Sequence, residues 1–161
     1  MSAPTIIIAD SHISSEDPAK AEEFFEMLAY FEKTPGSIVF LGDIFELWIA
    51  LDDYEDSLHK RFLAWCKEAS KTRSVGFVEG NHEYFVANRH ADAFTWIEEK
   101  ETLLPDGTLF IHGDLVNVRD RNYRLMRFLF KSNAAEIALK LFAALGFGTK
   151  IADKIRLGLK G

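Results

Sequence analysis

Residues 37–46 read SIVFLGDIFE, and this stretch decides the fold. Its first half is a β-branched and aromatic run with the length of a buried strand. Gly42 and Asp43 follow directly, and Glu46 comes three residues later. The pattern predicts a strand over residues 37–41 that ends in a polar cluster, which is where sites form in open α/β sheets.

Three other apolar stretches end in the same way. Because parallel strands bring their carboxyl ends to one edge of a sheet, all four polar clusters are expected to converge on one site. The first stretch, residues 5–9, is followed by Asp10-Ser11-His12, and the second, Val75–Val78, is followed by Gly80-Asn81-His82-Glu83. The third is a predicted hairpin over residues 103–111 that turns at Pro105-Asp106-Gly107, and it is followed by His112-Gly113-Asp114.

The other patterns alternate with these strands. Apolar residues at helical spacing predict helices over residues 19–31, 54–71 and 83–93, and a fourth strand over residues 95–97. Such alternation predicts a layered α/β core in residues 1–118. Residues 119–161 differ because only helices are predicted there, over residues 120–130, 134–145 and 150–159. They are expected to form a second, all-helical unit.

Charge is distributed unevenly along the 161 residues, which suffice for one domain with a core. Residues 1–118 contain 22 Asp and Glu against nine Lys and Arg, whereas residues 119–161 contain three against ten. The net charge of −6 argues against nucleic-acid binding. An acidic body followed by a basic segment points instead to a localised anionic partner.

The single cysteine, Cys66, excludes an internal disulfide and suits a reducing compartment. Its apolar neighbours predict that its thiol is buried. The first residues show no signal-peptide pattern, and no run reaches the roughly 18 apolar residues of a spanning helix. The expected location is the cytoplasm, with peripheral association at the inner membrane as an additional hypothesis.

The residue types in the four clusters suit a pair of divalent transition metals. Carboxylate, imidazole and amide oxygen are ligands for Mn, Fe or Zn, with Mn the first expectation. A shared aspartate can bridge two cations about 3.5–4 Å apart, and such a pair activates water and holds phosphoryl oxygens during in-line attack. Each motif alone is common in proteins without metals. Their shared order after four strands is what favours a site, and His59 and His90, outside this pattern, are expected at the surface.

In combination the motifs resemble those of the calcineurin-like metallophosphoesterases: Asp-x-His, Gly-Asp, Gly-Asn-His-Asp/Glu and a later histidine before glycine. The resemblance implies a four-layer α/β sandwich and a dinuclear metal site. It implies that Asp10, His12 and Asp43 bind the first metal, and that Asp43, Asn81 and His112 bind the second. His82 would orient the substrate and protonate the leaving oxygen.

A narrower resemblance covers nearly the whole chain. Residues 42–48, GDIFELW, followed by Asp52-Asp53, are similar to bacterial UDP-2,3-diacylglucosamine pyrophosphohydrolases of lipid A biosynthesis. The resemblance implies hydrolysis of a lipid-linked nucleotide by metal-activated water. It also implies that residues 119–161 are a helical cap insertion, and that the substrate is bound by Asp120, Tyr123 and Arg127.

Two departures leave alternatives open. The lipid A enzymes typically have Gly-Asn-Arg-Asp where this chain has His82 and Glu83, which keeps a soluble nucleotide or a phosphoprotein as an alternative substrate. Those enzymes also end in a Gly-His-x-His motif, and no histidine follows His112 here. The sequence is therefore interpreted as a fragment whose other motifs are intact. A non-catalytic binding module on the same fold is the third hypothesis.

The basic segment suggests a partner for the cap. Residues 137–147 are apolar apart from Lys140, and basic residues alternate with apolar ones over residues 150–160. This is the pattern of an amphipathic lid on an anionic membrane. A helical hairpin packed on the body with a solvated basic face fits the same pattern. Cations near the site, which are expected to attract a pyrophosphate or a lipid headgroup, are Arg119, Arg121, Arg124, Arg127 and Lys131.

Overall fold

The computed structural model describes residues 4–104, 106–117, 119 and 121–159. The strands within these ranges are β1 (Thr5–Ile8), β2 (Ser37–Phe40), β3 (Trp48–Ile49), β4 (Val75–Val78), β5 (Glu83–Tyr84), β6 (Trp96–Glu98), β7 (Glu101–Leu103) and β8 (Leu109–Ile111). The helices are α1 (Pro18–Glu32), α2 (Ser57–Ala69), α3 (Val86–Arg89), α4 (Arg121–Phe130), α5 (Asn133–Ala144) and α6 (Gly148–Leu159), with a 3₁₀ turn at Ala91–Ala93.

Four strands form a parallel sheet in the order β1-β2-β4-β6. β7 and β8 form the predicted antiparallel hairpin, and β3 pairs with β5 in a short parallel ladder. The parallel arrangement brings the carboxyl ends of β1, β2 and β4 to one edge, as the strand predictions require.

Different elements pack on the two faces of the main sheet. On one face Phe40 packs against Phe62 of α2, with ring centroids 4.9 Å apart, and Phe24 of α1 joins the same core. On the other face Val39 and Val78 pack against Phe110 of β8. The predicted α/β class is confirmed, and the described residues build three layers of the sandwich: helices, main sheet and hairpin.

Residues 83–93 do not form the single helix predicted from the sequence. Glu83 and Tyr84 pair with β3, and α3 covers only Val86–Arg89. Between them Phe85 has a φ of 66°, in the left-handed region that non-glycine residues rarely adopt. This residue breaks the helix where the apolar pattern alone would continue it.

The prediction of surface positions for His59 and His90 was wrong. His59 is buried, with its ring stacked on Phe45 at a centroid distance of 4.3 Å, because it shares the inner face of α2 with Cys66. His90 is half-buried, and its Nε2 lies 2.7 Å from Oε1 of Glu55. Cys66 is buried as predicted, and burial raises the pKa of its thiol.

Helices α4–α6, here called the cap, pack on the body. Leu139 of α5 belongs to the main core, and its carbonyl accepts a hydrogen bond from the Tyr54 hydroxyl at 2.9 Å. Exposed ion pairs from Arg89 to Glu136 and from Arg156 to Glu16 add little energy but are consistent with this placement. Within the described ranges no helix is both long and apolar enough to cross a membrane.

Candidate metal centre

The loops after β1 and β2 are joined by backbone hydrogen bonds. The amide of Asp10 donates to the Gly42 carbonyl at 3.1 Å, and the amide of His12 donates to the Asp43 carbonyl at 2.9 Å. The two loops thus continue the pairing of their strands beyond the sheet. This pairing brings the Asp-x-His and Gly-Asp motifs side by side.

Backbone strain is concentrated at these same residues. Asp10, His12 and Asp43 have φ values of 52°, 42° and 53°, so three of the four non-glycine residues with positive φ in the described chain are predicted metal ligands. Each such conformation costs on the order of 1–3 kcal/mol and persists only where the surrounding structure enforces it. The strain is a mark of a functional site that the sequence does not display.

Asp43 lies at the centre of the cluster. Its Oδ2 is 3.4 Å from Nε2 of His112, and 3.8 Å from Nε2 of both His12 and His82. Ligand atoms of His12, Asp43 and His82 lie within 4.8 Å of one another, and so do those of Asp10, Asp43 and His112. Asp43 is therefore shared by two groups that could each hold a cation.

Backbone carbonyls fix the orientation of two histidines. Nδ1 of His112 lies 2.7 Å from the Leu41 carbonyl oxygen, and Nδ1 of His82 lies 2.6 Å from that of Glu46. Each Nδ1–H donates to its carbonyl, so each Nε2 is left facing Asp43. This is the usual outer contact that selects the tautomer of a metal-binding histidine.

The electrostatics of the cluster favour a positive charge beside Asp43. Burial of His112 opposes its protonation, but hydrogen bonds to Asp43 and to the Leu41 carbonyl raise its pKa to about 9. Burial likewise opposes ionisation of Asp43, yet the hydrogen bond from His112 lowers its pKa. Burial and the neighbouring His82 lower the pKa of His12, which favours the neutral ring that binds metals.

The donor set fits divalent cations. His112 Nε2 lies 3.3 Å from Asn81 Oδ1, so an amide oxygen joins the carboxylates and imidazoles. The Nδ1 atom of His12 is buried and has no hydrogen-bond partner among the residues that the structure describes. A histidine whose ring has an unsatisfied nitrogen, beside a carboxylate and other imidazoles, suits an ion site. All six predicted residues, Asp10, His12, Asp43, Asn81, His82 and His112, are brought together at this edge.

Two buried carboxylates, Glu79 and Glu83, were given no role from the sequence. Glu83 accepts hydrogen bonds from the amides of Asp43 and Gly80, both at 2.8 Å, and burial with the nearby Asp43 charge raises its pKa to about 7. Glu79 forms a buried ion pair with Lys131 at 2.7 Å. Glu83 ends the Gly-Asn-His-Glu motif, which is a usable signal, whereas nothing near Lys131 in the sequence predicts its burial.

The structure places two of the three predicted substrate residues, Tyr123 and Arg127, beside the metal centre. Arg127 is buried, and its guanidinium donates to the carbonyls of Gly80 and Glu99 and to Asp114. The Tyr123 hydroxyl also donates to Asp114. Asp120 lies outside the described residues. The protein contacts of Arg127 therefore tie α4 to the loop that carries Asn81.

A cavity of about 830 Å³ opens between the cap and the metal centre. Asn81 and Tyr84 of the body contribute to its lining, and the remaining lining is mostly apolar but includes the cations Arg127, Lys131 and Lys154. The volume lies within the range of small-molecule sites. Cap residues that contribute include Met126, Phe130, Ala138, Leu139, Phe142 and Ile155.

Comparison with known proteins agrees with this geometry. A family model described as calcineurin-like phosphoesterase matches residues 3–146. Proteins named UDP-2,3-diacylglucosamine hydrolase are similar: that of Blochmanniella pennsylvanica is 30% identical over 87% of this chain and 62% of its own length. The protein of that name from Psychromonas ingrahamii is 28% identical over 94% of this chain and 64% of its own length. The one from Escherichia coli is 32% identical over 76% of this chain and 53% of its own length. The chain spans between half and two thirds of these relatives.

Proposed function

Because the chain belongs to the calcineurin-like phosphoesterase family, we propose that it forms the metal centre of a hydrolase that splits a phosphoester or pyrophosphate bond in a lipid-linked nucleotide such as UDP-2,3-diacylglucosamine. The motif-based resemblance to this family is confirmed. The observation that carries the substrate class is the cavity, whose surface is mostly apolar and whose lining includes Asn81 and the cations Arg127, Lys131 and Lys154. Such a cavity suits a molecule with a phosphate at one end and hydrocarbon at the other.

In this proposal two divalent cations, Mn²⁺ as first candidate and Fe or Zn as alternatives, are held by Asp10, His12, Asp43, Asn81 and His112. When bound, such a pair supplies Lewis acidity that lowers the pKa of water and neutralises phosphoryl charge. The protein holds the donors in place through strained loops and carbonyl-bound imidazoles, so little reorganisation is needed.

His82 is proposed as the general acid. Its Nδ1–H donates to the Glu46 carbonyl, and its Nε2 lies 3.8 Å from Oδ2 of Asp43. A proton carried on Nε2 can pass to the leaving oxygen. Tyr123, Arg127 and Asp120 are proposed to help hold the nucleotide-sugar, with Arg127 and Tyr123 lining the cavity beside Asn81.

Filling the cavity tests the lipid assignment. Ala138→Phe adds a ring at the cavity wall and is expected to raise KM for UDP-2,3-diacylglucosamine about tenfold, the size of a moderate steric penalty. Turnover of bis(p-nitrophenyl) phosphate, which has no acyl chains, should not change. Ala144→Phe, an exposed position on the same helix outside the cavity, is the control. Equal KM values for Ala138→Phe and wild type would remove the lipid assignment.

A soluble nucleotide or phosphoprotein remains a second candidate substrate, supported by the histidine at position 82. Faster turnover of cyclic nucleotides than of the lipid-linked nucleotide would favour it. A non-catalytic binding module on the same fold is the third candidate. Metal binding without hydrolysis of any of these phosphoesters would favour that reading. In all three proposals residues 1–118 provide the core and residues 119–161 the cap.

We also propose that the cap docks on an anionic membrane from the cytoplasmic side, on the inner membrane. Phe128 of α4 and Leu157 of α6 are each 72% exposed, and Arg121 and Arg124 of α4 are exposed as well. An apolar surface with surrounding cations is how peripheral proteins bind anionic lipid. We expect sedimentation with phosphatidylglycerol vesicles at low salt, reduced by Phe128→Ser and by added salt. No sedimentation at low salt would contradict it.

A further inference from the structure

The metal-centre loops meet at one carboxylate to which the proposed mechanism gives no role. Glu83 is fully buried, and both of its oxygens accept hydrogen bonds from backbone amides. Oε2 accepts from Asp43 and Gly80, each at 2.8 Å, and Oε1 accepts from Ile44 at 2.9 Å. One side chain therefore joins the loop after β2 to the loop after β4.

The glycines show how closely these loops approach. A Cβ on Gly80 would lie 2.1 Å from Oδ1 of Asp43, and a Cβ on Gly42 would lie 2.4 Å from the Gly80 nitrogen. Only glycine fits at either position. At this spacing three N–H groups point into a shared buried space, where leaving any of them unpaired costs free energy.

Glu83 also accounts for the geometry of Asp43. The Asp43 φ of 53° is strained, and the amide of the same residue is held by Glu83. The Oδ1 of Asp43 in turn accepts from the His82 amide at 3.0 Å, so the adjacent residues His82 and Glu83 hold both the carboxylate and the amide of Asp43. Hydrogen bonds to a buried ionised group are among the stronger ones in proteins.

We infer that Glu83 is a positioning residue that fixes Asp43 and Asn81 at the spacing needed for cation binding, by holding the amides of Asp43, Ile44 and Gly80. This inference deepens the proposed function and rests on it. Glu83 acts through the two loops and touches neither substrate nor the reacting atoms.

Glu79→Gln provides a matched control. Glu79 is as buried as Glu83 and lies on the same loop, but its oxygens contact the Ala87 amide and Lys131, not the loop after β2. Loss of either buried charge is expected to lower stability. Only loss of the Glu83 carboxylate should leave the Asp43 amide without its hydrogen-bond acceptor.

The test compares wild type, Glu83→Gln, Glu83→Asp and Glu79→Gln by two measurements. Amide hydrogen exchange in the metal-free proteins should quicken about tenfold or more at residues 43, 44 and 80 in Glu83→Gln only, as expected for lost bonds to a charged acceptor. Calorimetric titration with Mn²⁺ should show binding weakened about 10–100-fold in Glu83→Gln, with partial recovery in Glu83→Asp, which keeps the charge.

Unchanged exchange at the three amides in Glu83→Gln, or weakening of Mn²⁺ binding as large in Glu79→Gln, would overturn the positioning role. A wild-type chain that bound no Mn²⁺ would contradict the proposed function, and the exchange measurement would still decide the role of Glu83. Exchange in a variant whose circular dichroism matches wild type excludes misfolding as the cause.

Discussion

Asp43→Ala is expected to abolish measurable metal-dependent hydrolysis, with a loss of at least about 10³-fold, because one change removes several kcal/mol of charge stabilisation. Asp43 is the carboxylate shared by both donor groups, with His12 and His82 on one side and Asp10 and His112 on the other. Its loss affects both proposed cations at once. The measurement is the initial rate of bis(p-nitrophenyl) phosphate hydrolysis across a Mn²⁺ titration.

Asp52→Ala is the control for this change. Asp52 is exposed and belongs to neither donor group, so its removal alters net charge equally without touching the cluster. Calorimetry with Mn²⁺ should show lost binding for Asp43→Ala and wild-type binding for Asp52→Ala. Full metal-dependent activity in Asp43→Ala would remove the assignment of the site.

His82→Gln is expected to lower kcat about 10²–10⁴-fold, the usual contribution of a general acid. Since His82 is proposed to protonate the leaving oxygen, the loss should be largest for a substrate with a poor alkoxide leaving group, such as a cyclic nucleotide. It should be much smaller for bis(p-nitrophenyl) phosphate, whose leaving group departs without a proton. Mn²⁺ affinity should change little.

His82→Gln also distinguishes the two roles that the geometry permits for His82, general acid and metal ligand. Its Nε2 lies within reach of Asp43 and His12 in one donor group, so a ligand role would show as weakened Mn²⁺ binding and equal losses for both substrates. His90→Gln, a histidine outside both groups, is the control for generic effects of losing an imidazole.

The sequence predicted the site because its signals are local. Each of four strands carries its polar cluster within a few residues of its end, and strand pairing then brings Asp10, Asp43, Asn81 and His112 together. The apolar runs likewise predicted the main sheet, the hairpin and helices α1 and α2. For these features residue order and strand direction are sufficient.

Features that depend on long-range packing were not predictable. The stacking of His59 on Phe45 and the buried pairing of Lys131 with Glu79 depend on contacts between different elements. The last pair is separated by 52 residues. A lysine in a basic segment is ordinarily solvated, so only the packing of α4 on the body shows that this one is an internal cation.

The central claim, that this edge of the sheet is a metal-dependent phosphoester-hydrolysing centre, is tested most directly by incubating the chain with UDP-2,3-diacylglucosamine and following UMP release. We predict release with added Mn²⁺, loss of release with EDTA, and recovery when Mn²⁺ is restored. No release under any of these conditions, together with no calorimetric Mn²⁺ binding, would contradict the claim.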